Sequence, residues 1–331
     1  MIVVTSDESL GNALARTDPD LEIWAWSESL HIGRIPAGND LKAFSKDRAR
    51  LFQEWGWDEC HEVERDWNLR NEALTQAIER GESIVLLFGS GIRDQLTLSR
   101  ISAWLAGQAS DALGKIRLLN VDSPLSERST AWLVKALASA PNAGMQAIRQ
   151  YESVWNAFVS DDPRLLERCY HSYGDGPLQE SLGRLLREYP SSENGVSLTE
   201  CQILDIVSLG VRAPIDVFER FRETESPPFL IDWEFWLILE RMASGSCPLI
   251  DLEGGADFIR PPKGLAWKEF HDQELRLTST GERILEGRCN YAELDFPERW
   301  LGGVRIAKDN MWFWSYETME LTQDARLAGA E

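Results

Sequence analysis

Ser83-Ile84-Val85-Leu86-Leu87-Phe88-Gly89 is the stretch that decides the fold. An unbroken apolar run between a Ser and a Gly is what a strand needs when helices cover both of its faces. A strand with one wet face alternates instead. Working outward, Ile2–Thr5, Glu22–Ser27 and Lys115–Asp122 are further short apolar or β-branched runs, each followed by a polar loop. Between them lie Ser9–Arg16, Asp40–Trp55, His61–Arg80 and Ile92–Ala106, whose apolar residues recur at helical spacing. This alternation predicts an α/β fold over residues 1–125, a mainly parallel three-layer sheet with right-handed crossovers.

Beyond Ser126 the pattern turns to helices alone. Ser129–Ser139, Ala143–Val159, Pro163–Tyr170 and Pro177–Tyr189 keep i, i+3, i+4 spacing, and Pro141, Pro163, Pro177 and Pro190 stand at or near their ends. Residues 126–192 therefore read as a helical bridge. Residues 193–331 read as a winged-helix-like α+β domain. Ser197-Leu198-Thr199-Glu200 caps an apolar helix, and Asp232–Ala243 supplies a third helix. Leu275–Leu285 runs from strand into capped helix, with a long wing interrupted by Gly254-Gly255 and Pro261-Pro262. In the aromatic tail, Val304 and Ile306, then Trp312 and Trp314, alternate on either side of Lys308-Asp309-Asn310. That spacing predicts a docked β-hairpin, with Gly302-Gly303 permitting a close backbone crossing.

The chain has 331 residues, with 34 basic against 54 acidic for a net charge of −20. Such a field opposes approach to nucleic acid or an anionic membrane. In the predicted third helix only Arg241 suits base reading, against Asp232, Glu234 and Glu240. The wing offers Arg260, Lys263 and Lys268, but also Asp251, Glu253, Asp257, Glu269 and Asp272. Nucleic acid is thus disfavoured as a partner, and a protein partner or self-association is expected. The 14 tryptophans read as core and interdomain packing, or as an aromatic contact surface. Five scattered cysteines without a CxxC pair exclude a zinc ribbon or thioredoxin-type motif. No apolar run approaches the roughly 18–20 residues of a membrane span, and Met1–Asp7 reads as a first strand instead of a signal peptide. A cytoplasmic, reduced protein is the expectation.

Several short motifs resemble a bacterial family built from domain of unknown function 1835 followed by an uncharacterised C-terminal domain. Asp7-Glu8-Ser9-Leu10-Gly11 is similar to the family's Gly-Asp-Ser-x-x-Gly turn. Trp26-Ser27-Glu28-Ser29-Leu30-His31-Ile32-Gly33-Arg34 is similar to its Trp-x-Asp-Asp-Leu-Ser-x-Gly-Pro, with Arg34 where the family has Pro. Arg48-Ala49-Arg50-Leu51-Phe52, the Phe88-Gly89 turn with Asp94-Gln95-Leu96, and Arg299-Trp300-Leu301-Gly302-Gly303 extend the likeness over most of the chain. The resemblance implies an architecture and no particular reaction.

Ligands of open α/β sheets bind beyond the carboxyl ends of the strands. The candidates there are Ser6, Asp7, Glu8 and Ser9; Ser27, Glu28 and His31; Ser90, Gly91, Asp94 and Gln95; and Asp122. Gly89-Ser90-Gly91 opens a helix, so its amides would hold a small anion, or simply make a turn of small residues. Asp7, Glu8, Glu28 and Asp122 would hold a divalent cation if they converged, or serve as helix-start acids if they did not. His31 would act as a base beside an acid, or pack as a loop residue. No cofactor is specified by any motif. Three functions follow. The first is a ligand-binding regulatory or adaptor protein using its winged helix for protein contact. The second is a metal-dependent enzyme acting on a nucleotide or phosphorylated substrate, and the third a DNA-binding regulator.

Overall fold

The computed structural model describes residues 1–38, 40–56, 60–108, 114–261 and 267–323. They form two compact units: 1–183 with 300–304, and 184–299 with 305–323. The fold is α/β. In the first unit, β1 (Ile2–Thr5), α1 (Glu8–Thr17), β2 (Glu22–Ala25), β3 (Gly33–Arg34), α2 (Leu41–Glu54), α3 (Cys60–Glu79), β4 (Ile84–Phe88), α4 (Ile92–Leu105) and β5 (Ile116–Asn120) follow in order. Strands β2, β1, β4 and β5 make one parallel sheet in that spatial order. Every residue of β4 is buried, as its unbroken apolar run requires. Val3, Val85 and Leu87 pack with Leu14 of α1 and with Leu133 and Leu137 of α5 (Thr130–Ala138). Their neighbours Ile84, Leu86 and Phe88 point to the opposite face, which α4 helps to cover.

The helices α5, α6 (Met145–Phe158), α7 (Arg164–Ser172) and α8 (Pro177–Leu186) carry the apolar stripes expected of them. Instead of bridging, α5 joins the sheet core and α6 packs along α4, so residues through 183 belong with the sheet. Amphipathic helices next to an apolar sheet bury their stripes on it, and the sequence pattern alone does not distinguish that from a separate layer.

The second unit holds α9 (Leu198–Ser208), α10 (Pro214–Glu223), α11 (Asp232–Met242), β6 (Ile250–Leu252), α12 (Trp267–His271), β7 (Leu275–Leu277) and α13 (Ser279–Leu285). Ser197 and Glu200 form the reciprocal capping box predicted from Ser-x-x-Glu. An antiparallel ribbon pairs β6 with β7, and Arg276 bonds Asp251 across it at 2.6 Å. Gln273 folds the connecting loop back by exchanging two hydrogen bonds with the Ile259 backbone, at 2.7 and 2.8 Å. Lys263 lies outside the described residues.

The tail contains β8 (Arg299–Gly302), β9 (Val304–Ile306), β10 (Phe313–Ser315) and β11 (Glu320–Thr322). Within the first unit β8 runs parallel to β3, and Gly302 and Gly303 press against α6. The Gly303 N–H donates to the Phe158 carbonyl at 2.9 Å, where any Cβ would collide. The close crossing is therefore present, but the hairpin differs. Ala307 and Asn310 close the predicted turn as an isolated bridge, and β10 pairs with β11. The alternation marked the strands correctly, yet period 2 does not say which strand is the partner.

Candidate functional site

Because the chain moves from β1 outward to β2 and then returns to the other side, β1 and β4 flank the switch point of the sheet. Ser6 follows β1 and is buried; Asp94 sits in the first turn of α4, after β4. The Ser6 hydroxyl donates a short hydrogen bond to the Asp94 carboxylate. Burial pushes the Asp94 carboxyl up to about 6, against the opposing pull of Ser6, the Gly89 N–H and Arg93. Helix α4 starts at Gly91 with no side chain capping its amides. Arg93 stands beside Asp94 with a buried Nε, and it makes no hydrogen bond or ion pair among the described residues.

The turn before α4 is held from several sides. Ser90 donates its N–H to the Ser123 carbonyl at 3.2 Å and accepts the Ser181 hydroxyl at 2.7 Å. Gln95 Nε2 donates to the Gly89 carbonyl at 2.6 Å and to Asn120 Oδ1 at 3.0 Å, and Asn120 donates to the Tyr151 hydroxyl at 2.8 Å. A Cβ on Gly89 would stand 2.9 Å from the Ser123 carbonyl oxygen, so glycine is required there. These partners make Ser90-Gly91 a rigid platform.

Glu28 lies elsewhere in chemical terms. It is 1% exposed and forms short ion pairs with both Arg70 of α3 and Arg100 of α4. Burial raises its carboxyl, but the two guanidiniums outweigh that and hold it below the usual range. Burial in turn brings Arg70 down to about 10. Both cations lie over the Trp26 ring, 4.5 and 5.5 Å from its centre. Arg48 of α2 secures the loop that carries Glu28 and His31. It donates to the carbonyls of Glu28, Ser29, Ile32 and Arg34 at 3.0–3.2 Å.

The proposed cation set does not assemble. Asp7 is exposed and caps α1, accepting the Leu10 N–H at 2.9 Å. Glu8 and Ser9 are exposed in the first turn of α1. Asp122 is exposed and faces Arg128 at 3.3 Å, and Glu28 is spent on Arg70 and Arg100. Among the described residues no three His, Cys, Asp or Glu side chains are grouped to hold a metal ion. Helix starts and arginines take these carboxylates because each offers positive potential nearer than a common focus. Ser27 is half-buried and His31 is buried within the Arg48-held loop. Of the candidates, then, Ser6, Ser90, Gly91, Asp94 and Gln95 share one place. Sequence reasoning missed Arg93, Asn120 and Tyr151. Arg93 alone had a signal, a cation just inside the helix opened by Gly-Ser-Gly.

In the second unit, α11 turns Phe235, Trp236, Ile238, Leu239 and Met242 inward. Trp236 meets Phe218, Phe235 and Phe270 at 4.8–5.6 Å between ring centres. Arg241 is 3.1 Å from the buried Glu200 carboxylate, and Arg260 is 2.9 Å from Glu240. Glu200 also pairs with Arg299 at 2.6 Å. Burial raises its carboxyl, but Arg299 and Arg241 overcome this and bring it down to about 2.

No family model matches the chain, and no curated protein matches it. No helix among the described residues is long and apolar enough to cross a membrane.

Proposed function

We propose that this chain is a ligand-responsive regulatory or adaptor protein whose first unit binds a small anion at the carboxyl edge between β1 and β4. The observation that carries the reading is the meeting of Ser6 and Asp94 beside Arg93, whose guanidinium makes no hydrogen bond or ion pair among the described residues, at the uncapped start of α4. Hydroxyl, amides and guanidinium are the donor set that an oxyanion uses. The second unit, read as winged-helix-like, serves contact with a protein or a second copy of this chain. Support comes from Arg241, the one base-reading cation of α11, which is committed to Glu200. Membership of the family containing domain of unknown function 1835 and a cytoplasmic location belong to the same reading.

The test is calorimetry and thermal shift of the full chain with inorganic phosphate, nucleotides and sugar phosphates. Binding should tighten as pH falls through about 6, where Asp94 loses its charge. Arg93→Gln should weaken it roughly tenfold. Failure of every probe to bind removes the claim.

A second reading has one observation in its favour. Asp94, held near neutrality beside a serine hydroxyl, suits acid–base chemistry at the same edge without a metal. Turnover of a bound phosphorylated probe, lost in Asp94→Asn, would select it over simple binding.

A further inference from the structure

Helix α3 runs for 20 residues, about 30 Å, and buries Trp67, Asn71, Leu74, Ala77 and Ile78. Arg65, Leu69 and Glu72 of the same helix are exposed. With Glu64, Asn68 and Lys42 of α2 they line an open groove of about 400 Å³. Leu69 stands between Arg65 and Glu72 in the chain and is 58% exposed.

The charges of this groove are balanced and largely uncommitted. The whole chain carries −20, yet Lys42 and Arg65 cancel Glu64 and Glu72. Lys42, Glu64 and Glu72 form no ion pair or side-chain hydrogen bond among the described residues, where Arg65 reaches its neighbour Asp66 at 3.3 Å. Both members of that pair are about two-thirds exposed, so it holds Arg65 weakly. A strongly charged partner of either sign would meet like charges here. A second copy of the same helix would not. Residues 65, 68, 69 and 72 follow i, i+3, i+4, i+7 spacing and form one stripe, with Arg65 and Glu72 equally far from its midpoint.

We infer that this face of α3 is a self-complementary interface on which a second copy of the chain docks with its α3 antiparallel. A twofold axis between Asn68 and Leu69 sets Arg65 of each copy opposite Glu72 of the other and brings the two Leu69 side chains together. A closed symmetric dimer requires such a patch, one that matches itself. One helix face is small beside a standard interface, so the dimer is reversible and concentration-dependent. The face belongs to the first unit and does not rest on the anion-binding reading.

Sedimentation velocity of the full chain over a range of concentrations tests the inference. It should show a monomer–dimer equilibrium that weakens as salt rises. Arg65→Glu should raise the dimer Kd at least tenfold, and so should Glu72→Arg, because each sets like charges opposite one another twice. An equimolar mixture of these two variants should recover the dimer, since one copy then offers two carboxylates and the other two guanidiniums. Recovery also shows that both variants are folded. Leu69→Asp should weaken the dimer with no such rescue. A chain that stays monomeric at every concentration, a dimer unmoved by either charge reversal, or a mixture that dimerises no better than its components would overturn the inference.

Discussion

The two units bury arginines in contrasting ways. In the second, Arg184 pairs with Glu188 and Glu225 at 2.7 Å each, while Arg241 and Arg299 converge on Glu200. Three guanidiniums thus meet three carboxylates, and the Thr199 hydroxyl and the Glu188 carbonyl take remaining donors. In the first unit, Arg70 and Arg100 meet Glu28 alone among the described residues, and aromatic faces lie against their guanidiniums. A matched network holds a fold together. An unmatched one leaves part of the charge to be met by aromatic faces.

The largest effects should come from removing the shared carboxylate in either network. Glu200→Gln strips Arg241 and Arg299 of their counter-ion and weakens the cap on α9. It should cost about 3–5 kcal/mol in urea unfolding. Glu28→Gln should cost a similar amount in the first unit, because it leaves two buried cations unanswered. A cost under about 1 kcal/mol for either would show that aromatic faces or water suffice.

Acid titration comes next. The Glu200 carboxyl is depressed in the fold, from an ordinary 4.5 to about 2, so its stabilisation is present above about 4.5 and lost as pH falls through about 2. That loss should amount to about 3 kcal/mol in melts of the native chain and be absent in Glu200→Gln. Asp94 runs the other way, raised from 3.8 to about 6. Its favourable contribution is full below about 3.8 and lost as pH rises through about 6. Asp94→Asn should therefore stabilise the protein by about 3 kcal/mol at pH 8 and leave it nearly unchanged near pH 4. A pH-independent effect of that substitution would mean Asp94 is ordinary.

The smallest expected effect is the most diagnostic. Arg100→Gln should cost less than about 1 kcal/mol, since it restores a one-to-one pair, whereas Arg299→Gln should cost about 3 kcal/mol. Equal costs in parallel unfolding curves would erase the distinction between the two networks.

How much of this was legible in the sequence follows from the range of each signal. The sheet was readable because Ile84–Phe88 is apolar on both faces, and that is a local property. The Ser197–Glu200 cap was readable for the same reason. The edge site was readable in part, since strand ends collect ligands whatever the residues. Orientation was not: Asp7, Glu8, Glu28 and Asp122 all follow strands, yet each faces its own helix start, solvent or arginine. Arg100 sits among Ser99 and Ile101 on a helix where any polar residue looks like a wet face. Its partner is 72 positions away, and no periodicity reports a pairing of that range.

Residues 300–304 return to the first unit after more than a hundred residues of the second. During synthesis, Gly33 and Arg34 have emerged long before Leu301 and Gly302, the strand they pair with, and the Ile35 N–H waits for the Gly302 carbonyl. The first unit is therefore completed only when the second has almost been made. A gene fragment ending at residue 183 would encode the sheet and its helices but not this last strand. Nascent chains of this protein must keep an unfinished edge for most of their translation, and a stop codon anywhere before Trp300 leaves both units incomplete.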